Sequence, residues 1–454
     1  MTSLSRRRFL AVAGSAAVGA MAAHSLGSDR ADATPVGLAQ IDVTPDYAVR
    51  LSGFGGRRTE SEGVTQRIGV KAMAIGDDGG KPAVLITADN LGVSGKITET
   101  VAARLKAKAG IGREQIAVSC SHTHTAPMLT NVAPTLFGLP IPPEHQEHIN
   151  QYTGELTESL VEVALAALED RKPARLSWAV GKAGFAYNRR TKGGPVDHEL
   201  PVLFVKDLTG GLRAVYASYA CHCVTLRDNK ISGDWAGYAQ EQIQKDHPGA
   251  IGMVAIGCGA DQNPGCGERG FRPEVAAEQG AEIAAEARRL LAGELAPVAG
   301  APVGRIERID LPFDTLPTRA EWEERVKKGG AIGYHAQVQL ARLDRGQALQ
   351  RKVDYPIQTL SFGDSLAMVF LPGEVVVDYS LRLKRELDRK RIWINAYSND
   401  LPCYIPSERI LREGGYEGGG AMVYFDRPTR LKPGLEQSIL DTIHGQLGDT
   451  FKAV

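Results

Sequence analysis

Val215-Tyr216-Ala217-Ser218-Tyr219 runs straight into Ala220-Cys221-His222-Cys223-Val224-Thr225. A mostly apolar run of strand length ends at a histidine bracketed by thiols. The layout recurs. Residues 116–118 lead into Ser119-Cys120-Ser121-His122-Thr123-His124, and residues 251–256 lead into Gly257-Cys258-Gly259-Ala260-Asp261-Gln262-Asn263-Pro264. Residues 366–370 lead into Leu371-Pro372-Gly373-Glu374, and residues 392–396 are soon followed by Asn399-Asp400-Leu401-Pro402-Cys403-Tyr404. Residues 83–87 and 202–205 read as further strands. Continuous apolar runs suit strands covered on both faces. Helical periodicity marks 97–109, 152–168, 238–246, 275–291, 319–327 and 435–447. The alternation gives an α/β fold: a mixed β-sheet core with flanking helices. Such sheets place ligands at strand ends, so five polar strand ends argue for one shared site.

The chain has 454 residues, 53 basic and 53 acidic, so no basic excess points to nucleic acid. With 43% hydrophobic and 23% charged residues, it carries enough apolar surface for a large core. Arg6-Arg7-Arg8-Phe9-Leu10, an apolar stretch to Ala23 and Ala31-Asp32-Ala33 read as a twin-arginine (Tat) export signal over residues 1–33. A retained N-terminal anchor is the rival reading. Residues 1–33 hold four arginines and two aspartates, so the remainder carries 49 basic and 51 acidic residues. No later stretch reads as transmembrane, and the expected location is periplasmic or secreted. Residues 295–303 (LAPVAGAPV) are the best candidate joint and read as a loop inside one domain, 34–454.

The P-loop, G-x-S-x-G and H-E-x-x-H patterns are absent. His122 and His124, at i and i+2, would face the same side of an extended segment. That suits a metal ligand with an acid/base partner, or two satisfied polar histidines. Asp234 reads equally as a helix cap. Cys258 and Cys266 are either a disulfide or, like the other four cysteines, buried thiols.

Taken in order, these segments resemble the neutral/alkaline non-lysosomal ceramidase family. Its S/T-H-T-H-S-G-P is similar to Ser121-His122-Thr123-His124-Thr125-Ala126-Pro127, and its N-R to Asn188-Arg189. The second histidine motif resembles Cys221-His222-Cys223 with Ser232-Gly233-Asp234. P-G-E resembles Pro372-Gly373-Glu374, and G-Y…Y-E-G resembles Cys403-Tyr404 with Tyr416-Glu417-Gly418. Ile41-Asp42-Val43-Thr44-Pro45 resembles the family's opening strand.

The resemblance implies a zinc amidase. His122, His222, Glu374 and Tyr404 would ligate Zn2+. His124 would act as acid/base or hold water, and Arg189 and Tyr416 would donate to the substrate carbonyl. The family's G-D-V-S-P serine falls on Asn263 here. Asparagine is no nucleophile, but it can hydrogen-bond a water or a carbonyl. The expectation is therefore an exported hydrolase of a small-molecule or lipid N-acyl substrate, using zinc-activated water. A zinc-dependent esterase, lactonase or N-acyl-sugar deacylase is one alternative. A non-catalytic binding protein on a hydrolase fold is another. The family's C-terminal Ig-like domain has no counterpart expected here.

Overall fold

The structure, a computed structural model, describes residues 33–453. The export-signal expectation falls outside them except at residue 33. Nine strands run from the start to residue 256: β1 (Thr34–Asp42), β2 (Gly69–Ile75), β3 (Ala83–Ala88), β4 (Ile116–Cys120), β5 (Lys172–Lys182), β6 (Ala186–Asn188), β7 (Glu199–Asp207), β8 (Leu212–Tyr219) and β9 (Ile251–Ile256). All but β6 form one mixed sheet, ordered β4-β3-β2-β1-β5-β7-β8-β9, with the β3–β4 and β8–β9 pairs parallel. Then come β10 (Gln262–Pro264), β11 (Ala296–Pro297), β12 (Pro302–Pro312), β13 (Lys352–Phe362), β14 (Leu366–Phe370), β15 (Glu374–Val375), β16 (Ile392–Asn395) and β17 (Tyr404–Ile405). A second sheet has the order β12-β13-β14-β16, and two short ribbons pair β10 with β6 and β15 with β17.

Side-chain alternation explains the layering. On β2, Met73 and Ile75 join Leu360, Phe362, Met368 and Trp393 of the second sheet in one apolar cluster. Ala72 and Ala74 face the other way, into a larger cluster with the helices. The sheets therefore pack face to face, and Tyr216 stacks on Trp393 across them at 5.0 Å. Helices α1 (Gly95–Ala109), α2 (Pro143–Glu169), α3 (Asp234–Asp246) and α4 (Pro273–Leu291) cover the first sheet's outer side. Pro143 opens α2, where its missing N–H costs nothing. Its Ile149, Tyr152, Leu156, Leu160, Val163 and Ala167 form one buried stripe at helical spacing. After α5 (Arg319–Lys327), α6 (Gly330–Asp344), α7 (Val377–Glu386) and α8 (Glu408–Glu413), helix α9 (Leu435–Leu447) covers β12 and β13.

The mixed α/β expectation holds, and each expected strand and helix has a counterpart, but β2, β5, β12, β13, α6, α7 and α8 were not among those expected. The segment 295–303 departs from its reading as a loop. Ala296–Pro297 pair with Trp178 and Ser177 of β5, the Val298 N–H donates to the Leu176 carbonyl at 2.9 Å, and β12 starts at Pro302.

One seam positions the strand ends. The N–H groups of Ala396 and Asn399 donate to the Ile256 and Val118 carbonyls at 2.9 and 2.7 Å. Residues 396–399 thereby cap β9 and β4, the two ends of the first sheet's strand path, and satisfy edges that would otherwise stay open. Leu371 N–H donates to the Asn395 carbonyl at 2.9 Å, tying the loop after β14 to the same seam.

Candidate functional site

Three loops meet beside that seam. Thr123 and Cys223 form an isolated parallel bridge, and His124 N–H donates to the Cys223 carbonyl at 3.1 Å. His222 N–H donates to the Gln262 carbonyl at 3.0 Å. The histidine loops after β4 and β8 and the Gly-rich turn after β9 are thus joined by backbone. His122 is not on an extended segment as the spacing suggested; its φ is +54°, a strained value for this residue. The bend, not strand alternation, brings His122 and His124 together.

Each imidazole is oriented by a backbone carbonyl. Nδ1 of His122 lies 2.7 Å from the Leu91 carbonyl, that of His222 lies 2.7 Å from the Gly259 carbonyl, and that of His124 lies 3.1 Å from the Gly53 carbonyl. A carbonyl only accepts, so each Nδ1 carries a proton, and the neutral form of each ring presents a lone pair at Nε2. His124 also packs so closely on Gly53 (φ +87°) that a Cβ there would sit 2.4 Å from its ring.

These lone pairs converge. His122 Nε2 lies 3.1 Å from His124 Nε2. Oε2 of Glu374 lies 3.4 Å from His122 Nε2 and 3.2 Å from His222 Nε2. It is buried and has no hydrogen-bond partner. Acceptors this close repel unless a cation sits among them. Ligand atoms on a tetrahedron with arms of about 2.0–2.1 Å stand about 3.3 Å apart, so the donor set fits a zinc-sized ion. Among the described residues, His122, His124 and His222 form the only group of three or more His, Cys, Asp or Glu ligand atoms lying within 4.8 Å of one another.

Electrostatics agree. Burial, with Arg189 alongside, pushes His222 down to about 4. Burial and the neighbouring imidazoles hold His124 well below its usual value. Burial alone would raise Glu374, but the facing His122 and His222 rings hold it well below the carboxylate range. Neutral His124 and His222 beside an ionised Glu374 are protonation states a metal site requires.

Glu374 is placed by β15, where it is the register partner of Tyr404 on the parallel β17. Gly373 (φ +81°) makes the turn before it; a Cβ there would lie 2.6 Å from the Cys403 carbonyl. Burial keeps the Tyr404 phenol well above its usual pKa, although Arg189 opposes this. Arg189 joins the parts. Its Nη2 donates to the Tyr404 hydroxyl at 3.0 Å, and its Nη1 lies 3.3 Å from His222 Nε2 and 3.4 Å from Asn263 Oδ1. Its Nε donates to Glu417 at 2.8 Å. Tyr416 is half-exposed, and its ring meets that of Tyr404 edge-on at 5.3 Å. All eight expected site residues therefore gather here.

Two residues had no role assigned from sequence. Tyr397 lays its ring 4.2 Å from that of His122, and its buried hydroxyl has no partner. Glu417 receives both Arg189 and Arg190. It stood in the quoted Tyr416-Glu417-Gly418 motif, the one signal that pointed to it. Asp234 does not act as the helix cap; its buried carboxylate accepts from the Leu226 and Trp235 N–H groups and braces the loop after His222. All six cysteines are buried free thiols, Cys258 and Cys266 included.

The site opens into a cavity of about 630 Å³, lined in part by His124, Arg189, Asn263 and Tyr404. A second cavity of about 610 Å³ adjoins it, sharing Gly53, Phe54 and Tyr416.

Comparison with known proteins places this architecture. Residues 35–256 match the family described as neutral/alkaline non-lysosomal ceramidase, N-terminal. Neutral ceramidases of Drosophila pseudoobscura pseudoobscura and Drosophila melanogaster are 23% and 22% identical over 248 residues, half of this chain. The aligned region spans only 35% of the length of those relatives. The neutral ceramidase of Pseudomonas aeruginosa has a similar fold, with a TM-score of 0.72 at 17% identity, over 93% of this chain and 76% of its own. A ceramidase complexed with C2 gives 0.71. The fold is the one seen in these ceramidase structures. The chain is similar to the neutral/alkaline non-lysosomal ceramidase family over residues 35–256, just under half of its length.

Proposed function

We propose that residues 34–454 act as one zinc-dependent hydrolase that cleaves the amide of an N-acyl substrate. The observation that carries this is the convergence of His122 and His222 lone pairs on the partnerless Oε2 of Glu374. His122, His222 and Glu374 hold the ion, and Tyr404 completes the set from the adjoining strand. A zinc ion bound there supplies Lewis acidity and lowers the pKa of water to about 7.

The chain's own groups do the rest. His124, reaching into the cavity, takes the proton from the attacking water and returns one to the leaving nitrogen. Arg189 and the Tyr416 hydroxyl donate to the carbonyl oxygen as negative charge grows on it. Glu417 fixes the Arg189 fork, so its donors are oriented before substrate arrives. Asn263 holds the substrate by hydrogen bonds where the wider family has serine. The proposal includes export through the Tat pathway by residues 1–33, to the periplasm or beyond. Among the described residues, no helix is long and apolar enough to cross a membrane.

Metal analysis of zinc-loaded protein tests the reading. About one equivalent per chain is expected, falling sharply in Glu374→Ala together with amide turnover. Less than about half an equivalent in the wild type, or turnover undiminished in Glu374→Ala, would overturn it.

A further inference from the structure

The two adjoining cavities differ in chemistry. One is walled mainly by Leu136, Phe137, Leu139, Pro140, Tyr334 and Tyr424, with Arg58 and Gln337 as its polar side chains. The other carries Arg189, Arg190 and Arg227, with Glu417 the only carboxylate in its wall. Two of those arginines are already satisfied: Arg189 and Arg190 both bind Glu417, and Arg190 also binds Glu413.

Arg227 is different. Among the described residues, no carboxylate stands within ion-pair distance of it. Its guanidinium carbon lies 3.4 Å from the centre of the Phe271 ring. Stacking of this kind fixes the plane of the group and leaves its N–H edges free. It follows His222 by only five residues, on the same loop. An oriented guanidinium with free donors, in the wall of a cavity that also holds His124 and Tyr404, is suited to a bidentate anion.

We propose that the arginine wing binds a carboxylate on the amine side of the substrate, with Arg227 as the specificity-determining residue, while the apolar wing takes the acyl chain. This rests on the amide-hydrolase reading and narrows its substrate to N-acyl amino acids. Hydrolysis adds water across the C–N bond. The hydroxyl goes to the acyl carbon and the proton to nitrogen, releasing a carboxylic acid and a free amino acid. One uncompensated positive charge matches a carboxylate better than a phosphate dianion.

The test compares N-lauroylglycine with N-lauroylglycinamide, N-lauroylethanolamine and N-lauroyl-O-phosphoethanolamine on zinc-loaded protein. For wild type, kcat/KM for the glycine conjugate should exceed that of the neutral amides by roughly ten- to a hundredfold, the worth of a charged hydrogen-bonded pair. Arg227→Gln should bring that ratio close to one, and Arg227→Lys should retain part of it. A ratio near one in the wild type, a ratio unmoved by Arg227→Gln, or a preference for the phosphate would overturn the proposal.

Calorimetric binding of the same compounds to Glu374→Ala protein separates the two readings. Turnover of every amide without preference for the carboxylate sinks only this inference. Tighter, Arg227-dependent binding of N-lauroylglycine, with no amide turned over by the zinc-loaded wild type, sinks the hydrolase reading and leaves of this inference only carboxylate binding at Arg227. Absence of both removes both.

Discussion

His222 and His335 are both buried, and burial pushes each down to about 4. Each also has a carboxylate nearby, Asp426 Oδ1 standing 3.8 Å from the Nε2 of His335, but the contacts at hydrogen-bond distance differ. Nε2 of His335 lies 3.0 Å from the Gln339 side-chain amide, whose N–H serves it, on the same helix. Nε2 of His222 faces Glu374 Oε2, an acceptor, at 3.2 Å, and a donor of Arg189 at 3.3 Å. A buried, neutral histidine is therefore not by itself a ligand. What marks His222 is the buried, partnerless Glu374 Oε2 that its Nε2 shares with His122.

The contrast breaks most easily by truncation. His222→Ala should remove the bound metal and lower turnover by several orders of magnitude, whereas His335→Ala should keep about one equivalent of metal and lose only stability. Metal content and melting temperature measured on both variants decide it. Metal loss in His335→Ala at full folding would erase the distinction.

Arg189→Ala should lower kcat by about 10²–10³, as for loss of an oriented oxyanion donor, with metal retained. Glu417→Gln should give a smaller loss in the same direction, because the fork stays but is less firmly held. Steady-state kinetics with metal analysis reads both, and a change confined to KM would contradict the assigned role of Arg189.

His335 also gives a pH signature. Its folded pKa lies below the unfolded value of about 6.5, so the unfolded state binds more protons between those limits. Its contribution to stability is present above about pH 6.5 and is lost as pH falls toward 4, on the order of 3 kcal/mol. Denaturant melts of wild type and His335→Leu across that range should differ in slope; parallel profiles would refute the assignment. The smallest effect expected is that of Asn263→Ser, no more than about tenfold in kcat/KM, the worth of one hydrogen bond. A far larger gain would show that serine is the natural nucleophile at this position.

How much of this was legible follows from the type of signal. Strands buried on both faces, such as β9 and β14, announce themselves as apolar runs, and their ends pointed to the site. Strand β12 did not, because charged residues such as Arg305, Glu307 and Arg308 interrupt it at its exposed positions. Helix α6 begins on Gly330 and carries Gly333, so its pattern is diluted. The ligand set was legible only through motif order. The contacts that orient it are backbone carbonyls of Leu91, Gly259 and Gly53, which leave no mark on residue identity. Tyr397 touches His122 from a strand end far along the chain, a proximity that only the folded seam creates.

That seam also sets an order of events. Ser119 and Ser398 meet across 279 residues. Synthesis delivers the three imidazoles early, by residue 222, but Glu374 and Tyr404 emerge much later. A ribosome-bound chain halted between them would hold soft nitrogen donors without the anion that balances the ion's charge. Glu374 meets the imidazoles only once the segment from Leu371 to Tyr404 has docked, so the full donor set is a property of the finished fold.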